Sequence, residues 1–134
     1  MNIVGLVPLL NVEDVGNAAY FYKDALGFRL EESFERDGEM VWACLSFGPI
    51  RIMLHQPPWA ESDSRRESQT WSGTVLFFWV EDARALHSDL IARGYEVGEL
   101  QGAERGVEEF YMRDPDGYEL GFATMLPVQT GATA

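Results

Sequence analysis

Apolar and polar positions along this chain switch between two periods, and the switches mark the elements. Ile3 to Leu10 is a nearly continuous apolar run, interrupted by Gly5 and Pro8. Proline has no backbone donor, so this strand is expected at a sheet edge or bent at that point. Val15, Ala19, Tyr22 and Leu26 then recur at helical spacing and define one helix face. Asp14 stands where an N-cap carboxylate takes the first free amides, and Gly27 where a left-handed residue stops the helix. Phe28, Leu30, Glu32 and Phe34 alternate as a strand does, and Asp37-Gly38 is a hairpin signal. Met40 to Phe47 and Ile50 to His55 read as two further strands joined at Gly48-Pro49.

The same order returns later in the chain, where Val12-Glu13-Asp14 is echoed by Val80-Glu81-Asp82. Thr74 to Val80 reads as a strand, and Asp82 caps a helix whose apolar face is Ala83, Leu86, Leu90 and Ile91. Gly94 ends that helix, and Tyr95 to Val97 reads as a short strand. Val107 to Arg113 and Tyr118 to Thr124 are two more, flanking the turn Asp114-Pro115-Asp116-Gly117. A unit written twice usually folds twice, with function at the seam. The expectation is an α+β fold of two tandem βαβββ modules, residues 3–55 and 73–126. Segment 56–72 links them within one domain, 1–126, and 127–134 is a flexible tail too small and polar to pack.

Composition narrows the class. At 134 residues, 46% hydrophobic and 13% aromatic, the chain can bury a core without disulfides or metals. Its single cysteine, Cys44, excludes an intrachain disulfide and points to a reducing, cytoplasmic compartment. Met1-Asn2 carries no charged n-region of a signal peptide, and no apolar run is long enough to span a bilayer. A formal charge of −12 repels nucleic acid and attracts cations at long range, although acidity alone also serves solubility.

Recognisable catalytic chemistry is sparse. Cys44 has no histidine or helix start beside it and reads as inert core. Neither a glycine-rich phosphate loop nor a nucleophile elbow is present. His55 reads as a cavity or rim residue and His87 as a surface or partly buried one. In each of the pairs Glu31-Glu32 and Glu108-Glu109, alternation turns one carboxylate inward or toward an interface. Segment 56–72, QPPWAESDSRRESQTWS, is long enough to be a linker or a lid, and its Trp59 and Trp71 need a docking place.

The residues Asp14, Phe21, Tyr22, Leu26, Gly27 and Phe28, then Phe110, Arg113, Asp114, Pro115, Asp116 and Gly117, resemble the vicinal oxygen chelate superfamily over residues 3 to 124. That superfamily includes glyoxalase I, extradiol dioxygenases, fosfomycin-resistance enzymes and bleomycin-resistance proteins. The resemblance implies a curved, cup-like mixed sheet. In the metalloenzymes the cup holds a divalent metal on His, Gln or Glu, at positions that here are Val7, about Met53, about Val75, and Gly121. Such a cation wants imidazole or carboxylate, so the expectation is a site with no metal and no cofactor. A slipped His55/Glu119 pair is the one rescue, and two ligands are fewer than a catalytic site normally uses.

Without a metal the cup becomes an apolar groove with aromatic walls. Parity puts Phe77 and Trp79 on the strand face of Val75, and these two rings with Trp42, Met53, His55, Trp59, Trp71, Tyr111 and Glu119 are the candidate ligand-binding set. Flat cationic ligands stack on such rings. The Val7-Pro8-Leu9-Leu10 start and the acidic balance resemble the bleomycin-resistance branch, which implies a homodimer whose N-terminal arm crosses over at Pro8. Arg105-Gly106 departs from that branch, where an aromatic residue precedes the glycine. Three readings follow: a metal-free protein sequestering an aromatic or cationic small molecule, with antibiotic resistance as the implied role; a glyoxalase-like lyase or dioxygenase-type metalloenzyme with atypical ligands; and a scaffold whose cup is core. The first is favoured.

Overall fold

Two aspartates start the two helices. The Asp14 side chain accepts from the Asn17 amide at 3.0 Å and opens helix α1, Val15–Leu26. Asp82 does the same for Ala85 at 3.0 Å and opens α2, Ala83–Ala92. Each bond satisfies an amide that the helix start leaves without an intrahelical partner. Gly27, at φ 81°, closes α1 by donating to Lys23, while Phe28 donates to Tyr22. The architecture is α+β. In this computed structural model, residues 1–57 and 73–127 are described.

The chain divides into two compact units, Met1–Ser72 with Asp114–Gly117, and Gly73–Arg113 with Tyr118–Ala134. In the first, β1 (Leu9–Asn11), β2 (Arg29–Arg36), β3 (Glu39–Phe47) and β4 (Ile50–His55) form a mixed sheet in the order β1-β4-β3-β2. Asp37 and Gly38, at φ 53° and 82°, make the two-residue turn between β2 and β3. Two successive positive φ values suit a hairpin twist, and only residues such as Asp and Gly take them cheaply. Helix α1 packs on this sheet. Val12, Val15, Tyr22, Leu45, Ile52 and Leu54 are fully buried between them. Burying a side chain of this size contributes roughly 1.5–3 kcal/mol, so this layer supplies much of the unit's stability.

The turn Asp114–Gly117 is counted in the first unit, and its hydrogen bonds explain why. The Tyr22 hydroxyl donates to Asp114 Oδ2 at 2.7 Å in a buried setting, and the Glu13 amide donates to Asp116 Oδ1 at 2.9 Å. Asp114 Oδ1 also accepts the Asp116 amide at 2.9 Å, which shapes the turn.

The second unit has β5 (Val75–Trp79), β6 (Val107–Arg113) and β7 (Glu119–Met125) in the order β5-β7-β6. Its core is aromatic: Phe78 stacks on Phe122 at 5.3 Å, and Phe122 on Phe110 at 5.1 Å. Leu90 of α2, Leu120 and Met112 are buried in the same unit.

Four local expectations are corrected. The N-terminal strand is only Leu9–Asn11, because Pro8 has no amide to continue the parallel ladder after its carbonyl takes the Met53 amide at 2.9 Å. Ile3, Val4 and Leu6 before it are 93%, 98% and 87% exposed. Tyr95 to Val97 is not a strand. Two apolar residues between Gly94 and Gly98 are too few for a ladder, and the segment meets β6 only where Gly98 donates to Tyr111 and Gln101 bridges to Glu109. Ile91 is exposed, since it lies about 100° around the helix from the buried Leu90. Cys44 is half-buried on the sheet face away from the core, where burial pushes its thiol pKa up.

Replacing Tyr22 by Phe removes a donor from a buried carboxylate while keeping the ring. We expect Tyr22→Phe to cost about 1.5–3 kcal/mol by urea denaturation, the range for hydrogen bonds to charged groups. An unchanged midpoint would show that the turn is held by other contacts.

Candidate functional site

Strand β7 lies between β5 and β6, and the pairing aligns three rows across the sheet. Val75, Glu119 and Arg113 form one row; Phe77, Gly121 and Tyr111 the next; Trp79, Ala123 and Glu109 the third. Side chains two apart on a strand share a face, so these rows all present to one side. The opposite side carries Phe78, Phe110, Met112, Leu120 and Phe122, and helix α2 packs on β6 and β7. One aromatic face is thus core. On the other, Phe77 is 42% exposed and Trp79 62%.

Gly121 sets the shape of that open face. A Cβ there would fall 2.7 Å from Tyr111 Cε2 and 2.8 Å from Phe77 Cδ1, closer than van der Waals contact permits. With no side chain between them, the rings lean over β7 with centroids 6.4 Å apart. Phe77 in turn meets Trp79 edge-on at 5.3 Å and 80°. Both separations suit favourable ring pairs. The result is a shelf of three rings across the width of the sheet.

A polar network borders the shelf. The Tyr111 hydroxyl donates to Glu109 Oε2 at 2.6 Å, and Arg105 pairs with Glu109 Oε1. The Tyr111 bond, with help from Arg105, holds the Glu109 carboxyl below its ordinary pKa although burial opposes the charge. The same hydrogen bond and burial push the Tyr111 phenol up. Glu108 alternates to the other face and pairs with Arg84 of α2. The two carboxylates of this pair therefore divide between faces, as expected from alternation.

The candidate residues fall into separate groups. Phe77, Trp79, Tyr111 and Glu119 share the open face of the second unit's sheet. Trp42, Met53 and His55 lie in the first unit, on the face opposite the core, with Trp42 paired to His55 and Cys44 to Met53. The Nδ1 atom of His55 is 3.3 Å from Asn11 Oδ1 on the neighbouring strand. On the same sheet the Ser46 hydroxyl donates to Glu31 at 2.5 Å and holds that carboxyl below its usual range. His87 packs against Phe110 at 5.0 Å, with Nε2 2.9 Å from the Gly98 carbonyl oxygen, a structural setting. Trp59 and Trp71 lie outside the described residues, as does most of segment 56–72.

The four metal positions do not fit a divalent cation. Val7 and Val75 offer no donor atom and Met53 only a soft thioether. At Gly121 the space that a carboxylate would need is filled by two rings. Among the described residues there is no group of three or more His, Cys, Asp or Glu that could hold a metal.

Reading the sequence alone overlooked Arg105 and Glu109 as a pair, and the use of Gly121. A partial signal existed, because Glu109-x-Tyr111 on one strand puts carboxylate and phenol on the same face. The return of Arg105 onto Glu109 depends on the 3-10 turn Ala103–Arg105, which spacing did not reveal.

The family model described as "Glyoxalase/Bleomycin resistance protein/Dioxygenase superfamily" matches residues 4–122. No curated protein sequence matches the chain. Solved structures share its fold at low identity. An antibiotic-binding protein, TnmS3 from Streptomyces sp. CB03234, is 20% identical with a TM-score of 0.67, covering 93% of this chain and 99% of its own. The bleomycin-binding protein of Streptomyces verticillus, solved with copper(II)-bleomycin, is 22% identical with a TM-score of 0.64, covering 96% and 99%. A lactoylglutathione lyase from Agrobacterium tumefaciens is 16% identical with a TM-score of 0.66, covering 92% and 96%.

The network gives stability a defined pH window. Glu109, with a lowered folded pKa, contributes fully above the unfolded carboxylate value and loses that contribution as pH falls through the folded one. Tyr111, with a raised pKa, contributes below the unfolded phenol value and loses it as pH rises through the folded one. The pair's contribution is therefore flat between about pH 4.3 and about pH 10. We expect Glu109→Gln to flatten the acid limb of stability and to return Tyr111 toward ordinary phenolate absorbance titration. An acid limb identical to wild type would show that Glu109 is not so paired.

Proposed function

The chain belongs to the glyoxalase/bleomycin resistance protein/dioxygenase superfamily, and from that premise we propose that it is a small-molecule-binding protein. It sequesters a flat aromatic ligand without a bound metal and without turnover. The observation that carries this reading is the aromatic shelf over Gly121. The metalloenzymes that the chain resembles use this position for an acidic ligand, and here two rings occupy the space.

The physical case rests on exposure. Large rings contribute most to stability when buried, so Phe77 and Trp79 left open on a sheet face contribute less to folding than they could to binding. A planar ligand stacked on them gains roughly 0.5–1.5 kcal/mol per ring pair beyond area burial. A cationic ring gains about as much again from the ring quadrupole. The proteins named above as binding bleomycin or an antibiotic have the same fold, and this supports an antibiotic-like ligand and a resistance role.

The exposed arm Ile3, Val4 and Leu6 supports a homodimer in which a second copy covers it. No helix among the described residues is long and apolar enough to cross a membrane. With its reducing-compartment cysteine usage, the chain is read as acting in the cytoplasm. The contrasting reading is the metal-dependent lyase, in line with the lactoylglutathione lyase of this fold. Only a stoichiometric metal would support it.

The test is a thermal-shift and calorimetric screen of planar aromatic antibiotics on protein of measured metal content. A ligand that binds the folded state stabilises it, by about 2.7 kcal/mol at a hundred times Kd. We expect Phe77→Ala and Trp79→Ala each to weaken binding about tenfold or more while changing the unliganded Tm little. Near-stoichiometric metal, or ligand turnover, would overturn the proposal.

A further inference from the structure

Glu109 stands out among the polar groups of the open face. Its side chain is only 4% exposed, yet it belongs to the exposed aromatic face, and the Arg105 side chain that covers it is 58% exposed. The carboxylate is thus buried while its charged partner stands largely in solvent. We propose that Glu109 is the cation-recognising carboxylate of the aromatic shelf. Arg105 is its resident occupant, displaced when a ligand brings an amidinium, guanidinium or protonated amine of its own. The inference rests on the reading that the shelf binds the ligand's ring.

Three features fit an exchangeable occupant. First, the two carboxylate oxygens have different partners. The Tyr111 hydroxyl holds Oε2 and so keeps the group oriented when Arg105 leaves Oε1. Second, Arg105 is carried by a three-residue 3-10 turn bracketed by Gly102 at φ 96° and Gly106 at φ 80°. Glycines hold the left-handed angles that let so short a turn carry the arginine back beside the strand, so Arg105 reaches Glu109 from a turn and not from within the sheet. Third, Gly102 packs close beside Oε1, which favours a slim planar group there. A Cβ on Gly102 would lie 3.0 Å from both Arg105 Nη2 and Glu109 Oε1 and 2.7 Å from Val107 Cγ2. An amidinium has the planar fork that makes the same charge-assisted pair.

Register supplies the ligand's second anchor. Glu109 shares its row with Trp79, and the adjacent row holds Phe77 and Tyr111. A ring lying on the shelf thus carries its cationic group to Oε1 along the strand direction. Glu119, on the same face, adds to the negative potential around Tyr111. An anionic ligand gains little at the Glu109 end of the shelf, since Glu109 already neutralises Arg105. The ligand class is therefore a flat aromatic cation.

A matched set of probes separates the ring from the charge: 2-naphthamidine, 2-naphthamide and 2-naphthoate, titrated calorimetrically into the full chain. We expect the amidine to bind about tenfold tighter than the amide, as a charge-assisted hydrogen bond implies. In Glu109→Gln the preference for amidine over amide should shrink to within about twofold. Arg105→Gln should widen the preference for amidine over amide. In wild-type protein, the Arg105 Nε–H resonance should move toward its Glu109→Gln position on adding amidine and stay put with amide. Should Arg105→Gln fail to fold, the wild-type and Glu109→Gln titrations with that resonance decide. Equal affinity for amide and amidine would sink the cation assignment and leave the shelf standing. Naphthoate binding tightest would also sink it, by making Arg105 an anion site. Binding of none of the three would overturn both.

Discussion

A missing side chain governs the open face of the second unit's sheet. Gly121 sits mid-strand in β7, between Phe77 on one neighbour and Tyr111 on the other. Any Cβ would collide with both rings, so the sheet can have a substituent at 121 or a continuous aromatic surface, and not both. From that exclusion the rest follows. Tyr111 leans over β7, its hydroxyl reaches Glu109, and Glu109 in turn holds Arg105. A carboxylate at 121 would push the rings apart, and with them the network.

The same sheet shows how one scaffold supports two kinds of aromatic surface. On the α2 side, Phe78, Phe122 and Phe110 stack as nearly parallel plates and form the core. On the other side, Phe77 and Trp79 meet edge-on and leave ring surface open. Strand alternation fixes which residues go to which side, and the helix decides which side is closed. The first unit follows similar rules, with α1 closing the face of Leu45, Ile52 and Leu54 and leaving Trp42, Met53 and His55 on the other.

Much of this was legible where the physics is local. Asp14, Asp82 and Gly27 act as caps because a helix end always needs those partners, and Asp37-Gly38 turns because few residues accept its backbone angles. Alternation placed Phe77 with Trp79 and separated Glu108 from Glu109. The superfamily was readable from the residues around Asp14 and the Asp114–Gly117 turn. What was not legible depends on partners distant in sequence. Pro8 ends the ladder on β4, so the apolar arm before it is no strand. Tyr95 and Val97 have the composition of a strand, yet β6 pairs with that segment at isolated points only. Gly121 was noticed for the donor it lacks, whereas its effect on two rings needed the register of three strands. Arg105 was noticed as a departure from an aromatic pattern, and its pairing with Glu109 needed the 3-10 turn.

The candidate residues lie on two sheets, and the proposed ligand surface is on the second unit's sheet. The most direct measurement is an amide chemical-shift map of the isotope-labelled protein titrated with a neutral planar ring, 2-naphthamide. The largest, saturating shifts are expected at Phe77, Trp79, Tyr111 and Gly121. Shifts centred instead on Trp42, Met53 and His55, or spread without saturation, would show that the shelf is not the ligand surface.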